Sequence, residues 1–193
     1  MTIILASSSP RRKELMEMLF SKKNLLICPA KGEEKPPENA SPGETVKTLA
    51  LAKAREVAEN RELQEDEVIV AADTIVWHQG RIYGKPHSEE EAYHMLRNLS
   101  SSTHEVYTGL AVITRELEQI EYERTAVSFR AIDEEEIFAY IASKEPMDKA
   151  GAYGAQGRAA LFVKRIDGDF FNVIGLPLCR LGEMLKKTGV KLF

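Results

Sequence analysis

The sequence predicts an α/β protein with a mixed central sheet flanked by helices, and three features carry this prediction. Ile3-Ile4-Leu5-Ala6 is a short apolar strand that gives way to a helical pattern at Pro10. Val68 to Ala72 is apolar without polar alternation, which is typical of a strand covered on both faces. Two long strand-like segments, 104–114 and 120–130, pair most simply as an antiparallel hairpin. Strands that alternate with helices, together with a long hairpin, indicate a sheet of mixed strand direction.

The composition is that of a soluble globular protein, which we expect to form one domain over residues 1–193. Of the 193 residues, 44% are apolar and 29% are charged, so the chain can bury a proper core. The net charge of −4 argues against a nucleic-acid binder, so any bound anion must be attracted by a local cluster. The chain shows neither a membrane span nor a signal peptide, which predicts a cytoplasmic protein.

Cysteines and histidines give no sign of a disulfide framework or a zinc site. Cys28 and Cys179 are about 150 residues apart and lack the spacing of metal ligands. The four histidines also lack metal-ligand spacing, and we expect all of them at the surface: His78, His87, His94 and His104. The motifs of P-loop enzymes, dinucleotide-binding folds, zinc proteases and serine hydrolases do not occur in the sequence.

Local start signals delimit the predicted helices. The first helix spans Pro10 to Leu19, with Ser9 as its N-cap and proline in the first turn. The S-x-x-E spacing at Ser41 and again at Ser88 predicts two further helix starts, and Asp133 caps a fourth helix. The last helix starts at about Pro177.

Turn residues delimit the shorter strands. Ile75–His78 and Arg81–Tyr83 flank Gln79-Gly80 and are predicted to form a hairpin. Residues 160–166 and Phe170–Ile174 are predicted to form another, across 167–169.

Ser7 to Arg12 is the first candidate functional stretch. Three hydroxyls, a proline and two arginines meet where a strand gives way to a helix, and a helix N-terminus binds anions. A plain N-cap with two surface arginines would explain the same residues. Arginines directly after the cap oppose the helix dipole, which favours a bound anion such as phosphate.

Asp73 is the second candidate, because the buried strand 68–72 is predicted to end there. Open α/β sheets place their chemistry at strand ends. Together with Glu33 or Glu34, a carboxylate beside phosphates could hold a divalent cation or activate a water molecule.

Two lysines and a glycine-rich loop complete the set of candidates. Lys53 lies on the apolar face of its helix, where it either finds an anionic partner or extends to the rim. Lys85 follows in the turn Gly84-Lys85-Pro86, and three glycines occur between Lys149 and Gly157. Compact ammonium groups suit phosphate oxygens. The residues alone therefore predict a site for a multiply charged phosphate compound.

The sequence resembles the Maf family, bacterial nucleoside triphosphate pyrophosphatases related in fold to the inosine triphosphatases. Five motifs in family order carry the resemblance: Leu5–Arg12, Ala72-Asp73-Thr74, Gly84-Lys85-Pro86, 145–157 and Gly175-Leu176-Pro177-Leu178. The resemblance implies an inosine-triphosphatase-like twisted sheet with a cleft between two lobes. It also implies hydrolysis of a nucleoside triphosphate to monophosphate and pyrophosphate with Mg²⁺ or Mn²⁺, and a tendency to form homodimers.

The resemblance also implies roles for individual residues. Asp73 matches the proton acceptor that activates water, and it lies beside the metal together with Glu34. The positions that bind the triphosphate are matched by Ser7, Arg12, Lys53 and Lys85. Arg11, Thr74 and Gln156 match the specificity positions of the branch that hydrolyses dTTP and UTP, and a hydroxyl and an amide can read a pyrimidine edge.

The family's role is nucleotide-pool cleaning, with effects of some members on cell division. The rival hypothesis is a nucleotide-sensing regulator of septum formation that no longer hydrolyses its ligand. The presence of Asp73, Lys53 and Lys85 argues against this sensor, because a pure sensor need not keep the base.

Overall fold

Seven strands form one sheet in the computed structural model, which describes residues 1–32 and 35–193. The strands are β1 (Thr2–Leu5), β2 (Leu25–Ile27), β3 (Glu67–His78), β4 (Arg81–Tyr83), β5 (Thr103–Ile113), β6 (Glu118–Phe129) and β7 (Val163–Asp167). Their order is β2-β1-β3-β5-β6-β7, and β4 pairs with β3. β1 runs parallel to β2 and β3, whereas β4 and β7 are antiparallel to their neighbours. The predicted mixed sheet is confirmed.

The helices begin largely where the sequence signals place them. They are α1 (Pro10–Leu19), α2 (Pro42–Glu59), α3 (Glu89–Leu99), α4 (Glu134–Ala142), α5 (Phe170–Ile174) and α6 (Leu178–Lys187). The Ser41, Ser88 and Asp133 side chains accept the N–H of the residue three positions on, at 3.3, 3.1 and 2.8 Å. These three predicted caps are confirmed, because a cap depends only on residues close in sequence.

The chain divides into two units. The first unit comprises Met1–Asp73, Thr108–Glu123 and Gly175–Phe193. Small and branched residues of α2 pack in it against β1, β3 and β5. Gly109 lets the backbones approach closely, because a Cβ built there would lie 2.1 Å from the Val46 carbonyl oxygen. This contact fixes α2, the helix that carries Lys53, against the sheet.

The second unit comprises Thr74–Tyr107 and Arg124–Ile174. Its mainly aliphatic core contains an aromatic cluster, in which the Phe129 ring is in edge contact with Tyr153 and Phe162. The predictions of a single domain over 1–193 and of a cleft between two lobes stay predictions.

Two of the four histidines are buried in the second unit, so the prediction of four surface histidines was wrong. His104 is 1% exposed and His78 is 6% exposed. His104 Nε2 lies 2.8 Å from the Tyr153 hydroxyl, and its ring contacts Phe129 edge-on. Burial disfavours the imidazolium and, with the neighbouring His78, lowers the pKa of His104 to about 3. The neutral ring behaves as an aromatic core residue.

The predicted end of the strand at Asp73 was also wrong. β3 does not end before Asp73 but runs for 12 residues to His78, because the β-branched Thr74, Ile75 and Val76 favour continued extension. The hairpin from β3 to β4 is confirmed, with positive φ angles of 47° and 79° at Gln79 and Gly80, as a tight turn requires.

Phe170–Ile174 is the short helix α5 and not a strand, so the predicted hairpin across 167–169 does not form. Asp169 Oδ1 accepts the Phe171 N–H at 2.7 Å, which is a helix-start contact. The Asn172 amide donates to the Val106 carbonyl and to Thr125 Oγ1 at 3.0 and 2.9 Å. These long-range contacts fix the conformation of a segment whose five residues show no clear hydrophobic periodicity.

No helix in the described part of the chain is long and apolar enough to cross a membrane.

Candidate active site

Lys53 of α2 and Asp73 of β3 form an ion pair in the first unit. Lys53 Nζ lies 2.6 Å from Asp73 Oδ1, and the two side chains are 15% and 7% exposed. Lys53 follows the buried Leu49 by one helical turn, and Asp73 follows the buried Ala72. Charges so far removed from water need a partner. The alternative in which Lys53 finds an anionic partner is therefore confirmed, and its role in binding phosphate stays a prediction.

The position of Asp73 suits a proton acceptor. Its carboxylate is held by Lys53 and is largely withdrawn from solvent, so its orientation is fixed before a substrate arrives. A carboxylate oxygen within hydrogen-bond reach of a water molecule can take a proton from it. The neighbouring ammonium can at the same time offset the charge of a bound phosphate.

Arg12 joins the turn after β1 to β3 and to the start of the C-terminal segment. Its Nη1 donates to the Ala72 carbonyl at 2.8 Å and to Ser7 Oγ at 3.2 Å, and its Nε donates to the Gly175 carbonyl at 2.8 Å. The rigid guanidinium fork can reach three acceptors at once, which an ammonium on a flexible stem cannot do in the same way. Arg12 therefore connects the Ser7 hydroxyl to the residue immediately before Asp73.

These carbonyl partners of Arg12 were not found by sequence reasoning. Ala72 and Gly175 are 60 and 163 residues away along the chain, so no local spacing relates them to Arg12. The available signal was the motif Gly175-Leu176-Pro177-Leu178, in which Gly175 has a φ angle of 112°. At that φ angle glycine is favoured over residues with a Cβ.

The turn that precedes α1 differs from its prediction in one detail. Ser9 occupies the N-cap position, but its side chain makes no capping bond. The Ser9 N–H instead donates to Ser7 Oγ at 3.2 Å. Ser7 is buried, with 8% of its surface exposed, whereas Arg11 is half-buried in the first turn of α1. The Ser7 hydroxyl is thus positioned by two donors.

A small cavity lies beside Lys53 on the same face of α2. It is lined by Gly32, Lys35, Thr48, Leu49, Ala52, Lys53 and Glu56. Glu56, three residues after Lys53, accepts backbone N–H groups of the loop that precedes α2. Sequence reasoning passed over Glu56, although its spacing of three residues places it on the Lys53 face of the helix.

The candidate metal ligand Glu34 and its neighbour Glu33 lie outside the described residues. Among the residues that are described, no group of three or more histidine, cysteine or acidic side chains could hold a metal ion. Asp73 offers hard carboxylate oxygens, the donor type that Mg²⁺ and Mn²⁺ prefer. Mg²⁺ commonly binds through one or two carboxylates together with substrate phosphates. The chemistry of Asp73 therefore fits such a cation.

Lys85 belongs to the second unit, as do Thr74 and Gln156. Its side chain is exposed in the turn after β4, and the preceding Gly84 carbonyl accepts the Gly151 N–H at 2.9 Å. Gly151 has a φ angle of 67°, and a Cβ there would lie 2.8 Å from Val76 Cγ2. The glycine-rich loop is thus bound to the turn that carries Lys85. Thr74 is half-buried in β3, directly after Asp73.

Glu145 organises the loop that presents Gln156. Gln156 is exposed, and a Cβ at the following Gly157 would lie 2.0 Å from Glu145 Oε1. Glu145 accepts the Tyr140 hydroxyl at 3.0 Å and the Arg158 N–H at 3.2 Å. Burial and Glu145 raise the pKa of Tyr140, so its hydroxyl stays a donor. Sequence reasoning gave Glu145 no role of its own.

Comparison with known proteins identifies the family. The model of the family described as "Maf-like protein" matches residues 2–188. A dTTP/UTP pyrophosphatase from Bacillus cereus (strain B4264) is 50% identical over 97% of this chain and 96% of its own length. A dTTP/UTP pyrophosphatase from Bacillus mycoides (strain KBAB4) is also 50% identical, over 96% of this chain and 94% of its own. The chain belongs to the Maf family.

A solved structure supports the fold. The HAM1 protein from Coxiella burnetii superposes with a TM-score of 0.54 at 18% identity, over 97% of this chain and 99% of that one. At that identity the likeness concerns the fold alone.

Proposed function

We propose that this member of the Maf family is a pyrophosphatase that hydrolyses dTTP and UTP to the monophosphate and pyrophosphate. The observation that carries the proposal is the ion pair between Lys53 and the buried Asp73, next to the residue that Arg12 binds. Relatives at 50% identity over nearly the whole chain are named dTTP/UTP pyrophosphatase. Modified pyrimidine nucleotides are further proposed substrates, which gives the enzyme a role in cleaning the nucleotide pool.

Asp73 is the proposed general base. A water molecule at its carboxylate loses a proton to Asp73 while its oxygen attacks the α-phosphorus of the nucleotide. The bond between the α-phosphorus and the α,β-bridging oxygen breaks, and pyrophosphate leaves. Lys53 keeps the Asp73 carboxylate in place at 2.6 Å, and its positive charge offsets charge on the phosphates.

Ser7, Arg12, Lys53 and Lys85 are proposed to bind the triphosphate. Ser7 supplies a buried hydroxyl, Arg12 a guanidinium that orients it, and the two lysines supply compact positive charges. A triphosphate carries several negative charges, and the chain as a whole is negative, so the proposed binding depends on these side chains and not on the net charge.

A divalent cation, Mg²⁺ or Mn²⁺, is the proposed cofactor, held by Asp73 and Glu34 together with the substrate phosphates. When bound, it stabilises negative charge that develops on the leaving pyrophosphate. Asp73 would therefore have two roles, to take up the proton of the water molecule and to bind the cation, and its two carboxylate oxygens would share these roles.

Arg11, Thr74 and Gln156 are the proposed specificity residues. The Thr74 hydroxyl and the Gln156 amide can each donate and accept a hydrogen bond, as recognition of a uracil or thymine edge requires. Replacement of Gln156 by alanine tests this role through the ratio of kcat/KM for UTP to that for CTP.

A pyrophosphate-release assay tests the proposed function. We expect the purified chain with Mn²⁺ or Mg²⁺ to release pyrophosphate from dTTP and UTP much faster than from dATP or dGTP. In H₂¹⁸O, the label should appear in the monophosphate, because water attacks the α-phosphorus. Binding of nucleotide without any release would contradict hydrolysis and favour the sensor of septum formation.

A cytoplasmic location and a homodimeric state remain proposals. The proposed substrates are nucleotides of the cytoplasmic pool, which supports the location. Light scattering coupled to size-exclusion chromatography measures the oligomeric state directly, and a mass of twice the 21.6 kDa of one chain is the expected result.

A further inference from the structure

Glu56 connects helix α2 to the loop that follows β2. Its Oε1 accepts the Lys31 N–H at 2.6 Å and its Oε2 accepts the Gly32 N–H at 3.0 Å. Both carboxylate oxygens are therefore engaged by consecutive backbone donors that lie 25 and 24 residues earlier in the chain. Bonds from backbone N–H groups to a carboxylate are charge-assisted and are among the stronger hydrogen bonds.

The surroundings of Glu56 are adapted to this contact. The Lys31 and Gly32 N–H groups lower the pKa of Glu56, because both favour its ionised form. A Cβ at residue 32 would lie 2.9 Å from Glu56 Oε2, so glycine at this position allows the close approach of backbone and carboxylate. The carboxylate and the glycine thus form a matched pair.

The loop held by Glu56 forms one wall of the cavity beside Lys53. Gly32 and Lys35 line this cavity from the loop, whereas Lys53 and Glu56 line it from α2. Lys53 is in turn bound to Asp73 at 2.6 Å. Glu56 therefore fixes the distance between the loop backbone at Gly32 and the helix face that carries Lys53. In the sequence, the acidic pair Glu33-Glu34 follows Gly32 directly.

We propose that Glu56 is a positioning residue for binding of the metal–triphosphate substrate. It acts through the loop, by holding the Lys31 and Gly32 backbone against α2, and it neither touches the reacting atoms nor takes part in proton transfer. This inference rests on the proposed function of the Lys53–Asp73 site. Loss of the Glu56 carboxylate should weaken binding of the divalent cation and of nucleotide and should leave the chemical step nearly unchanged.

Three variants separate this role from a general effect on the helix. Glu56→Ala removes both acceptors, and Glu56→Gln keeps one carbonyl oxygen and removes the charge. Glu59→Ala is the matched control, since it removes an exposed glutamate from the same helix, one turn further on.

Limited trypsin digestion measures the anchoring without any assay of activity. Lys31 is exposed, and Glu56 accepts the N–H of the Lys31–Gly32 peptide bond as well as the N–H of the preceding peptide bond. The next lysine, Lys35, precedes Pro36 and is therefore a poor trypsin site. Cleavage after Lys31 should rise about tenfold in Glu56→Ala, because two charge-assisted bonds that oppose local opening are lost.

Binding and kinetics measure the consequence for the site. In Glu56→Ala we expect the Kd for Mn²⁺, measured by electron paramagnetic resonance without nucleotide, and the KM for UTP each to rise about fivefold to tenfold. The kcat at saturating Mn²⁺ and UTP should change less than about twofold, and Glu56→Gln should be intermediate.

The outcomes distinguish this inference from the proposed function. If the unmodified chain releases no pyrophosphate, the proposed function fails, while digestion and Mn²⁺ binding still report on Glu56. The inference is overturned if Glu56→Ala digests after Lys31 and binds Mn²⁺ as the unmodified chain does. It is equally overturned if Glu59→Ala produces the same changes, or if kcat falls with KM unchanged.

Discussion

Lys53 Nζ and Asp73 Oδ1 lie 2.6 Å apart and join the buried face of α2 to the middle of β3. The two groups depend on one another, since either charge alone would be left poorly solvated. The same pair supplies the proposed base and one of the proposed phosphate-binding cations. Stability and activity are therefore coupled at this point.

Removal of one partner of this pair should cost more stability than removal of both charges. We expect Lys53→Met to lower the free energy of unfolding by about 2–4 kcal/mol, because the Asp73 carboxylate is left with reduced compensation. The double variant Lys53→Met with Asp73→Asn should recover about 1–3 kcal/mol of this loss. Urea unfolding of the two single variants and the double variant measures the coupling, and additive effects would contradict a direct interaction.

Replacement of Arg12 by lysine should impair the site although the charge is kept. Lysine cannot bind Ser7 Oγ, the Ala72 carbonyl and the Gly175 carbonyl with the same geometry. We expect kcat/KM for UTP to fall about 10- to 100-fold and the free energy of unfolding to fall by about 1–3 kcal/mol. Arg115→Lys, at a side chain that is 56% exposed, is the control and should change neither quantity. Unimpaired activity of Arg12→Lys would show that the fork geometry is dispensable.

The buried His104 should make the protein sensitive to acid. Its pKa is about 3 in the folded state and about 6.5 when unfolded, so the unfolded chain binds the proton more readily between these values. The contribution of the neutral His104 ring to the free energy of unfolding is complete above pH 6.5. It is lost as the pH falls toward 3, and the loss amounts to about 2–3 kcal/mol at pH 4.5.

Two histidine variants separate the contribution of His104 to the pH dependence of the free energy of unfolding from the contribution of the carboxylates. The difference in unfolding free energy between the unmodified chain and His104→Gln should be smaller at pH 4.5 than at pH 7. His94→Gln, at an exposed histidine, should show no such change of difference. An equal difference for His104→Gln at both pH values would mean that the ring does not stay neutral in the folded protein.

Features that depend on neighbouring residues were predicted well from the sequence. The caps Ser41, Ser88 and Asp133 and the turn at Gln79-Gly80 each rest on contacts within a few positions, and all are present. For Lys53 the apolar helix face left two alternatives open, an anionic partner or extension to the rim, and only the contact with Asp73 decides for the partner.

Features that depend on distant contacts were not predictable in this way. The end of a strand at Asp73 was inferred from its polarity, but β-branched residues beyond it continue β3. Phe170–Ile174 is too short to show a period, and its helix is fixed by Thr125 and Val106. The burial of His104 depends on Phe129 of β6 and Tyr153 of the glycine-rich loop, which spacing does not reveal.

The turnover of Asp73→Asn tests the central claim most directly. Asparagine keeps the size of the side chain and can still accept a bond from Lys53, but it cannot take up the proton of the attacking water. We predict that pyrophosphate release from UTP falls at least about 1,000-fold, while the Kd for a non-hydrolysable UTP analogue, measured by calorimetry without metal, changes less than about threefold. A variant that keeps more than about a tenth of the rate would contradict the assignment of Asp73 as the base.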